Sequence, residues 1–297
     1  MATTNSSLPR VSVISDFKEI TKMRLSLSVV FSAIAGYLLG ATTIEVSTLI
    51  LLAFGGYFMV GASNIYNQII ERDLDALMSR TKDRPIPAGR ISVNSALTLA
   101  IIFTVLGIAT LYIINPRTAM YGAISIFLYT SVYTPLKTKT PLSVFAGAIP
   151  GAIPFMLGWV AARNAFGIEP GTLFAIQFFW QFPHFWAIGW FLFDDYKKGG
   201  FFMLPTGKRD KGTATQTVMY TIWTVLISVI PVFGFTGDLK LSIVAAILVF
   251  AIGLGMIYFA LQLYAKRTEL AAKHLILASV IYITLLQIIY VADKFIR

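Results

Sequence analysis

Residues 47–75 read STLILLAFGGYFMVGASNIYNQIIERDLD, and this stretch decides both the environment of the chain and the place to look for its chemistry. Residues 47–70 contain no Asp, Glu, Lys or Arg, and about 20 mostly apolar residues suffice for one helix across a bilayer. Carboxylates follow directly, at Glu71, Asp73 and Asp75. The stretch therefore predicts a membrane-spanning helix that ends in a group of acids.

Apolar runs separated by short polar connections make up the rest of the chain as well. Of the 297 residues, 57% are hydrophobic and 13% are charged, whereas soluble domains average about 45–50% and about 25%. This composition excludes an ordinary water-soluble protein and predicts an all-α polytopic membrane protein. We place nine transmembrane helices at residues 25–42, 47–70, 94–114, 118–135, 142–161, 171–193, 216–235, 241–264 and 273–293.

The distribution of charge predicts how these nine helices are oriented. If the N-terminus is cytoplasmic, 19 of the 24 Lys and Arg residues fall on the cytoplasmic side, in agreement with the positive-inside rule. We therefore expect a cytoplasmic tail over residues 1–20 and one transmembrane domain over residues 21–297, in a bacterial plasma membrane. This placement explains the net charge of +10 without a surface for nucleic acid. With no cysteine and two histidines, the chain also lacks the residues for a thiolate or polyhistidine metal site.

Seven of the 14 carboxylates lie in two segments on the same predicted side of the membrane. In the first segment Asn67, Glu71 and Asp75 are spaced i, i+4 and i+8, which puts them on one helix face, while Asp73 faces elsewhere. The basic residues that follow are Arg80, Lys82 and Arg84. Oxygen ligands suit Mg²⁺, which bridges carboxylates to substrate phosphates, and cations neutralise the remaining phosphate charge. Taken alone, the pattern fits a magnesium–diphosphate site and, equally well, a solvated helix end with salt bridges.

The second acidic segment follows the sixth predicted helix and carries the adjacent carboxylates Asp194 and Asp195. Like charges this close repel one another unless a cation or a base lies between them. Acids from two separate helices can flank one diphosphate with metal between them, so we expect both residues to join the metal site at the cytoplasmic mouth. The alternative is a helix terminus paired with its own lysines.

Further polar residues lie at the ends of predicted helices or inside them. Tyr133 and Lys137 end the fourth helix at spacing i, i+4, either to reach phosphate oxygens or as an aromatic belt with a snorkelling lysine. His184 lies inside the sixth helix, where a polar side chain is a functional hypothesis by default. It could ligate a haem iron, move protons or secure a kink at Pro183. His274 is expected at the membrane interface.

The chain resembles the UbiA-type intramembrane prenyltransferases over residues 21–214, and within that family the branch that acts on haem. The matching stretches are residues 21–24, 35–38, 67–84, 133–137, 147–159, 180–186, 194–197 and 203–205. Glu71 replaces the middle aspartate of the family motif Asn-x-x-x-Asp-x-x-x-Asp. Asp194 and Asp195 are adjacent, where the wider superfamily spaces its second pair four apart.

The resemblance implies a UbiA-like helical bundle with a definite reaction. A farnesyl group passes from farnesyl diphosphate to a vinyl carbon of haem b with addition of water, giving haem o and diphosphate. The implied cofactor is Mg²⁺, and the implied partners are the lipid bilayer and a downstream haem-modifying membrane enzyme. The expected metal ligands are Asn67, Glu71, Asp75, Asp194 and Asp195. The expected diphosphate-binding residues are Arg80, Lys82, Tyr133 and Lys137, and His184 is the expected haem contact.

Other functions stay open from the sequence. The same machinery fits an aromatic quinone precursor as the acceptor of the prenyl group. An anion transporter would place its functional polar residues near the midplane, whereas the acids here gather at one mouth, which favours an enzyme. A haem-carrying assembly factor without catalysis is the remaining alternative.

Overall fold

The computed structural model describes residues 12–297, and all regular structure in this range is helical. These helical segments include a π-helical turn, Leu128–Tyr133, and a 3₁₀ turn, Ile230–Phe233. The predicted all-α fold is confirmed. In chain order the helices are α1 (Val13–Ile20), α2 (Met23–Gly40), α3 (Val46–Ile70), α4 (Arg72–Asp75), α5 (Val93–Ile114), α6 (Pro116–Phe127), α7 (Thr134–Leu136), α8 (Ser143–Arg163), α9 (Ile168–Phe191), α10 (Phe193–Lys198), α11 (Lys211–Val229), α12 (Ile243–Lys266) and α13 (Glu269–Ile296).

Helical segments occupy all nine predicted spans. By length and composition, seven helices of the described residues can cross a membrane, namely α2, α3, α5, α8, α11 with its 3₁₀ turn, α12 and α13. The predicted fourth span is divided between α6, the π-helical turn and α7. The predicted sixth span, α9, carries Gln177, Gln181 and His184 among its apolar residues. The count of nine spans and the cytoplasmic N-terminus stay predictions.

The predicted N-terminal tail is only partly described, because residues 1–11 lie outside the described residues. Val13–Ile20 form α1, whose N-terminus is capped by the Ser12 side chain as it accepts a hydrogen bond from the Ile14 N–H. Arg90 pairs with Asp16 on α1 at 2.8 Å. This ion pair fastens α1 to the long connection between α4 and α5.

Glycines allow a close crossing of α2 and α8. A Cβ added at Gly36 would overlap the carbonyl oxygen of Phe155, and one added at Gly158 would overlap that of Ala33. Small residues allow membrane helices to approach this closely. The crossing brings the middle of α8 into contact with the first transmembrane helix.

The buried core divides into two clusters that share α2 and α8. One cluster lies among α2, α8, α9, α11, α12 and α13, and it includes the buried side chains of Phe182, Trp186 and Trp190. The other lies among α2, α3, α5, α6 and α8. Apolar side chains such as Ile101 and Val105 are exposed on the outer surface, as expected for helices that face lipid. One large cavity is lined by residues from the helices of both clusters.

Candidate functional site

A cavity of about 550 Å³ begins at the end of the bundle that carries the acidic segments and reaches the bundle interior. Its polar end is lined by Lys22, Asn67, Glu71, Asp75, Arg80, Arg84, Tyr133 and Lys137. Its inner part is lined by the aromatic residues Trp180 and Phe185 and by the buried amides Gln177, Gln181 and Gln287. The cavity therefore combines a charged end with a mostly apolar interior.

The first acidic segment keeps its helical spacing although α3 ends at Ile70. The N–H of Glu71 donates to the Asn67 carbonyl at 2.9 Å, and that of Asp75 donates to the Glu71 carbonyl at 2.7 Å. These i to i+4 bonds hold all three side chains along the cavity wall. Asp73 points away, with 85% of its side chain exposed and paired with Arg72. The sequence spacing thus identified the carboxylates that face the cavity.

Two ion pairs cross the polar end of the cavity. Arg84 Nη1 lies 2.7 Å from Asp75 Oδ2, and Lys137 Nζ lies 2.9 Å from Glu71 Oε1. Asp75 is fully buried, and Glu71 is nearly so. Burial lowers the pKa of Lys137, but the Glu71 carboxylate outweighs this effect, so the pKa is raised and the lysine stays charged. The site therefore holds buried carboxylates and cations side by side.

One carboxylate oxygen of the site has no protein partner. Asp75 Oδ1 is buried without a hydrogen-bond partner, whereas Glu71 Oε1 is held by the Lys137 ion pair. The side-chain N–H of Asn67 donates to Thr134 Oγ1 at 3.2 Å, and this bond orients the carboxamide of Asn67. A buried carboxylate oxygen without a partner is costly, and an all-oxygen set fits a hard cation such as Mg²⁺. Asn67, Glu71 and Asp75 therefore fit a metal in their chemistry.

The second acidic segment occupies a different place. Asp195 accepts hydrogen bonds from the N–H groups of Ser79 (2.8 Å) and Arg80 (3.2 Å), and it lies 3.6 Å from Lys198. Burial raises the pKa of Asp195, but these hydrogen bonds and the lysine outweigh it, so the pKa is lowered. Asp195 thus fastens the loop after α4 to α10.

Asp194 lies on the outside of the same helix. Its side chain is 72% exposed, and it pairs with Arg209 at 3.0 Å. Neither Asp194 nor Asp195 lines the cavity, and within residues 12–297 no three His, Cys, Asp or Glu side chains cluster closely enough to hold a metal ion. The structure does not bring the carboxylates of the two segments together. Their predicted joint ligation of metal stays a prediction.

The fold places some of the predicted diphosphate-binding residues at the cavity and leaves another outside it. Lys137 and Tyr133 line the cavity, with Lys137 Nζ lying 4.5 Å from the centre of the Tyr133 ring. The π-helical turn that contains Tyr133 precedes α7 and places both residues at the cavity wall. Arg80 lies at the mouth with its guanidinium over the Tyr196 ring. Lys82 is exposed and does not line the cavity.

Two cations at the cavity are absent from the site predicted from the sequence. Arg84 belongs to the predicted basic run, but only the tertiary structure selects it as the partner of Asp75. Lys22 lies just before α2 in a left-handed backbone conformation, with φ of 45°. Burial and the nearby charges of Arg84 and Lys137 lower the pKa of Lys22 to about 7. Lys22 lies within residues 21–24, one of the stretches that resemble the family, and this was the available signal.

His184 lies on the inner cavity wall, about two turns of α9 from the end at Phe191. Its Nδ1 lies 2.8 Å from Ser279 Oγ on α13. The Trp180 ring stacks on its imidazole at 4.7 Å between centroids. The second histidine, His274, is exposed and lies near Phe259.

Comparison with known proteins defines the class of this bundle. The UbiA prenyltransferase family model matches residues 29–282, and the chain belongs to this family. It is 71% identical over 297 residues to a protoheme IX farnesyltransferase of Christiangramia forsetii, covering 100% of this chain and 99% of that protein. It is 65% identical over 300 residues to a protoheme IX farnesyltransferase of Flavobacterium psychrophilum, covering both chains completely. The predicted resemblance is confirmed.

Solved structures share the fold. A digeranylgeranylglyceryl phosphate synthase structure aligns with a TM-score of 0.76 at 18% identity, over 94% of this chain and 98% of that chain. A UbiA homologue from Archaeoglobus fulgidus, bound to GPP and Mg²⁺, aligns with a TM-score of 0.69 at 18% identity, over 94% and 100%. The predicted UbiA-like helical bundle is therefore confirmed.

Proposed function

We propose that this protein transfers the farnesyl group of farnesyl diphosphate to a vinyl carbon of haem b, with addition of water, to give haem o and diphosphate. The observation that carries the proposal is the cavity, because one end holds charge for a diphosphate and the interior is apolar enough for an isoprenoid chain. The relatives at 71% and 65% identity, both named protoheme IX farnesyltransferase, support haem as the acceptor.

Departure of diphosphate is the step that the charged end would assist. Lys137, Arg84 and Lys22 line one end of the cavity, where their charge stabilises the negative charge that develops on the leaving group. Arg80 at the mouth and the Tyr133 hydroxyl are further candidates for phosphate oxygens. The exposed Lys82 keeps its predicted role in diphosphate binding only if the loop moves toward the cavity.

We further propose that Mg²⁺ is required and that Asn67, Glu71 and Asp75 hold it. The unpartnered Asp75 Oδ1 supports this assignment, as does the Mg²⁺ in the A. fulgidus homologue. Bound metal supplies Lewis-acid stabilisation to the departing diphosphate. Asp194 and Asp195 remain proposed ligands, and their positions require α10 to move toward the cavity when substrate binds.

The interior of the cavity would protect the reactive prenyl group. Side chains such as Trp180, Phe185 and Ile188 line it, and an apolar wall excludes water that would hydrolyse a prenyl cation prematurely. The buried amides Gln177, Gln181 and Gln287 are the polar exception in this wall.

The setting of the reaction is proposed as well. The apolar outer surface and the charge distribution favour a bacterial plasma membrane with the charged end of the cavity facing the cytoplasm. A downstream membrane enzyme that modifies haem o would consume the product, and this partner stays a prediction.

Mass spectrometry of haem from membranes tests the proposal. Membranes with the wild-type protein, haem b and farnesyl diphosphate should produce farnesylated haem with Mg²⁺ and none after chelation. Asp75→Asn should lower the yield by at least about 100-fold, whereas the matched control Asp73→Asn, at the exposed neighbouring acid, should leave it unchanged. Farnesylation of an aromatic quinone precursor in place of haem would overturn the proposed acceptor.

A further inference from the structure

Two contacts of the Ser279 hydroxyl point to one tautomer of the His184 imidazole. The hydroxyl of Ser279 has one hydrogen, and it donates to the carbonyl of Ile276 at 2.7 Å. Ser279 Oγ therefore accepts the hydrogen bond at His184 Nδ1, which lies 2.8 Å away. A neutral imidazole carries one N–H, so the proton is on Nδ1 and the lone pair is on Nε2.

The orientation of the ring is fixed as well. The indole of Trp180 stacks on the imidazole with an interplanar angle of 16°, and its Nε1–H donates to the carbonyl of Ser279 at 2.7 Å. Ser279 is fully buried. One helix, α9, supplies the histidine and the tryptophan, and α13 supplies the serine that holds both.

The Nε2 atom of His184 has no hydrogen-bond partner within residues 12–297, although the residue lines the cavity. A histidine held at one nitrogen with an unprotonated second nitrogen is the arrangement that proteins use to bind a metal. Imidazole nitrogen suits several transition metals, and a histidine is a common axial ligand of haem iron. Among the described residues that line the cavity, His184 is the single histidine, so it offers the one imidazole to a ligand there.

We propose that Nε2 of His184 binds the iron of the haem substrate and thereby positions the porphyrin in the inner part of the cavity. This inference rests on the proposed function, since it takes haem as the acceptor. Along the axis of α9, His184 lies about 10 Å before the helix ends at Phe191. The porphyrin would therefore bind inside the bundle, while the diphosphate binds at the charged end of the cavity. His184 is a substrate-positioning residue, and Ser279 and Trp180 set its tautomer and its orientation.

Spectroscopy of the full-length protein in nanodiscs tests this inference without the reaction. Haem b is added without farnesyl diphosphate, and the absorption spectrum and the electron paramagnetic resonance of the ferrous nitrosyl complex report nitrogen as the axial ligand. Wild type and the matched control His274→Ala, at the exposed histidine, should show nitrogen ligation. His184→Ala should lose it and bind haem more than about tenfold more weakly, because removing an orienting partner alone costs 10–100-fold.

Two further measurements separate iron ligation from a packing role. Iron-free protoporphyrin IX should bind equally to wild type and to His184→Ala, because it has no iron to ligate. Added imidazole should restore the nitrogen-ligated spectrum of His184→Gly. An equal loss of affinity for both porphyrins, or an unchanged haem spectrum in His184→Ala, would overturn the inference.

The same experiment keeps the two proposals apart. If the wild-type protein bound no haem b, the proposed function itself would fail. If wild type bound haem b and farnesylated it while His184→Ala retained nitrogen ligation, only the role of His184 would fail.

Discussion

Lys137 Nζ lies 2.9 Å from the Glu71 carboxylate, and this ion pair joins the end of the fourth predicted span to the end of the second. Both side chains are buried at the cavity wall. Each side chain compensates the charge of the other in the protein without substrate, and each is also proposed to bind one component of a metal diphosphate. On that proposal, stability and activity depend on the same pair.

This dual role predicts a separation between stability and activity. Lys137→Met leaves Glu71 buried and unpaired, and breaking such a pair costs about 3–5 kcal/mol. The double variant Glu71→Gln, Lys137→Met should regain most of that stability, because neither charge remains, yet stay inactive. Thermal unfolding in detergent and haem farnesylation measure the two effects. Lys139→Met, at an exposed neighbour, should match wild type, and an active double variant would contradict the assignment.

The contact between Asp195 and the N–H groups of Ser79 and Arg80 predicts different roles for the two adjacent aspartates. Asp195→Ala should release the loop after α4, raise its cleavage rate by protease and raise the KM for farnesyl diphosphate about tenfold. At saturating Mg²⁺, Asp194→Ala removes an exposed ion pair with Arg209 and should change this KM less than about twofold.

The dependence of these variants on metal tests the predicted ligation directly. If Asp194 or Asp195 ligates Mg²⁺, its alanine variant should require a higher Mg²⁺ concentration for half-maximal activity. An unchanged Mg²⁺ requirement in both variants would exclude both residues as metal ligands. Asp195 would then only hold the loop after α4 through its hydrogen bonds.

The lowered pKa of Lys22, about 7, predicts how substrate binding varies with pH. The charged lysine attracts the diphosphate, and deprotonation above the pKa removes that attraction. The KM for farnesyl diphosphate should therefore rise roughly fivefold between about pH 6 and about pH 8, which corresponds to about 1 kcal/mol.

Matched lysine variants show whether this dependence comes from Lys22. Lys22→Arg keeps its charge across this range and should flatten the rise in KM. Lys18→Arg, at an exposed lysine of α1, should retain it. A KM that rises equally in both variants would assign the effect to another group.

The close crossing of α2 and α8 predicts a sharp difference between two glycines. Gly158→Ala would push its methyl group into the carbonyl oxygen of Ala33, and overpacking of this kind costs about 1–3 kcal/mol or more. Gly255→Ala on α12 meets nothing within 4 Å and should stabilise the helix by roughly 0.5 kcal/mol. Thermal unfolding of both variants in the same detergent measures the difference, and equal stability would rule out the tight crossing.

Much of this architecture follows from the sequence alone, because its signals are local. A run of apolar residues must satisfy its backbone hydrogen bonds within one helix when it lies in lipid, so the helical segments could be placed by composition. The i, i+4 and i+8 spacing of Asn67, Glu71 and Asp75 fixes their common face in the same way. The motifs between residues 21 and 214 identified the family.

The tertiary structure decided which charges meet. Periodicity relates a side chain to the axis of its own helix, but it contains no information on the element that lies opposite. Arg84 therefore became the partner of Asp75, Lys22 joined the cavity from 45 residues or more away in sequence, and Asp195 bound the backbone of a loop. The tautomer of His184 depends on Ser279, 95 residues later, because a hydrogen bond is set by distance in space and not by distance along the chain.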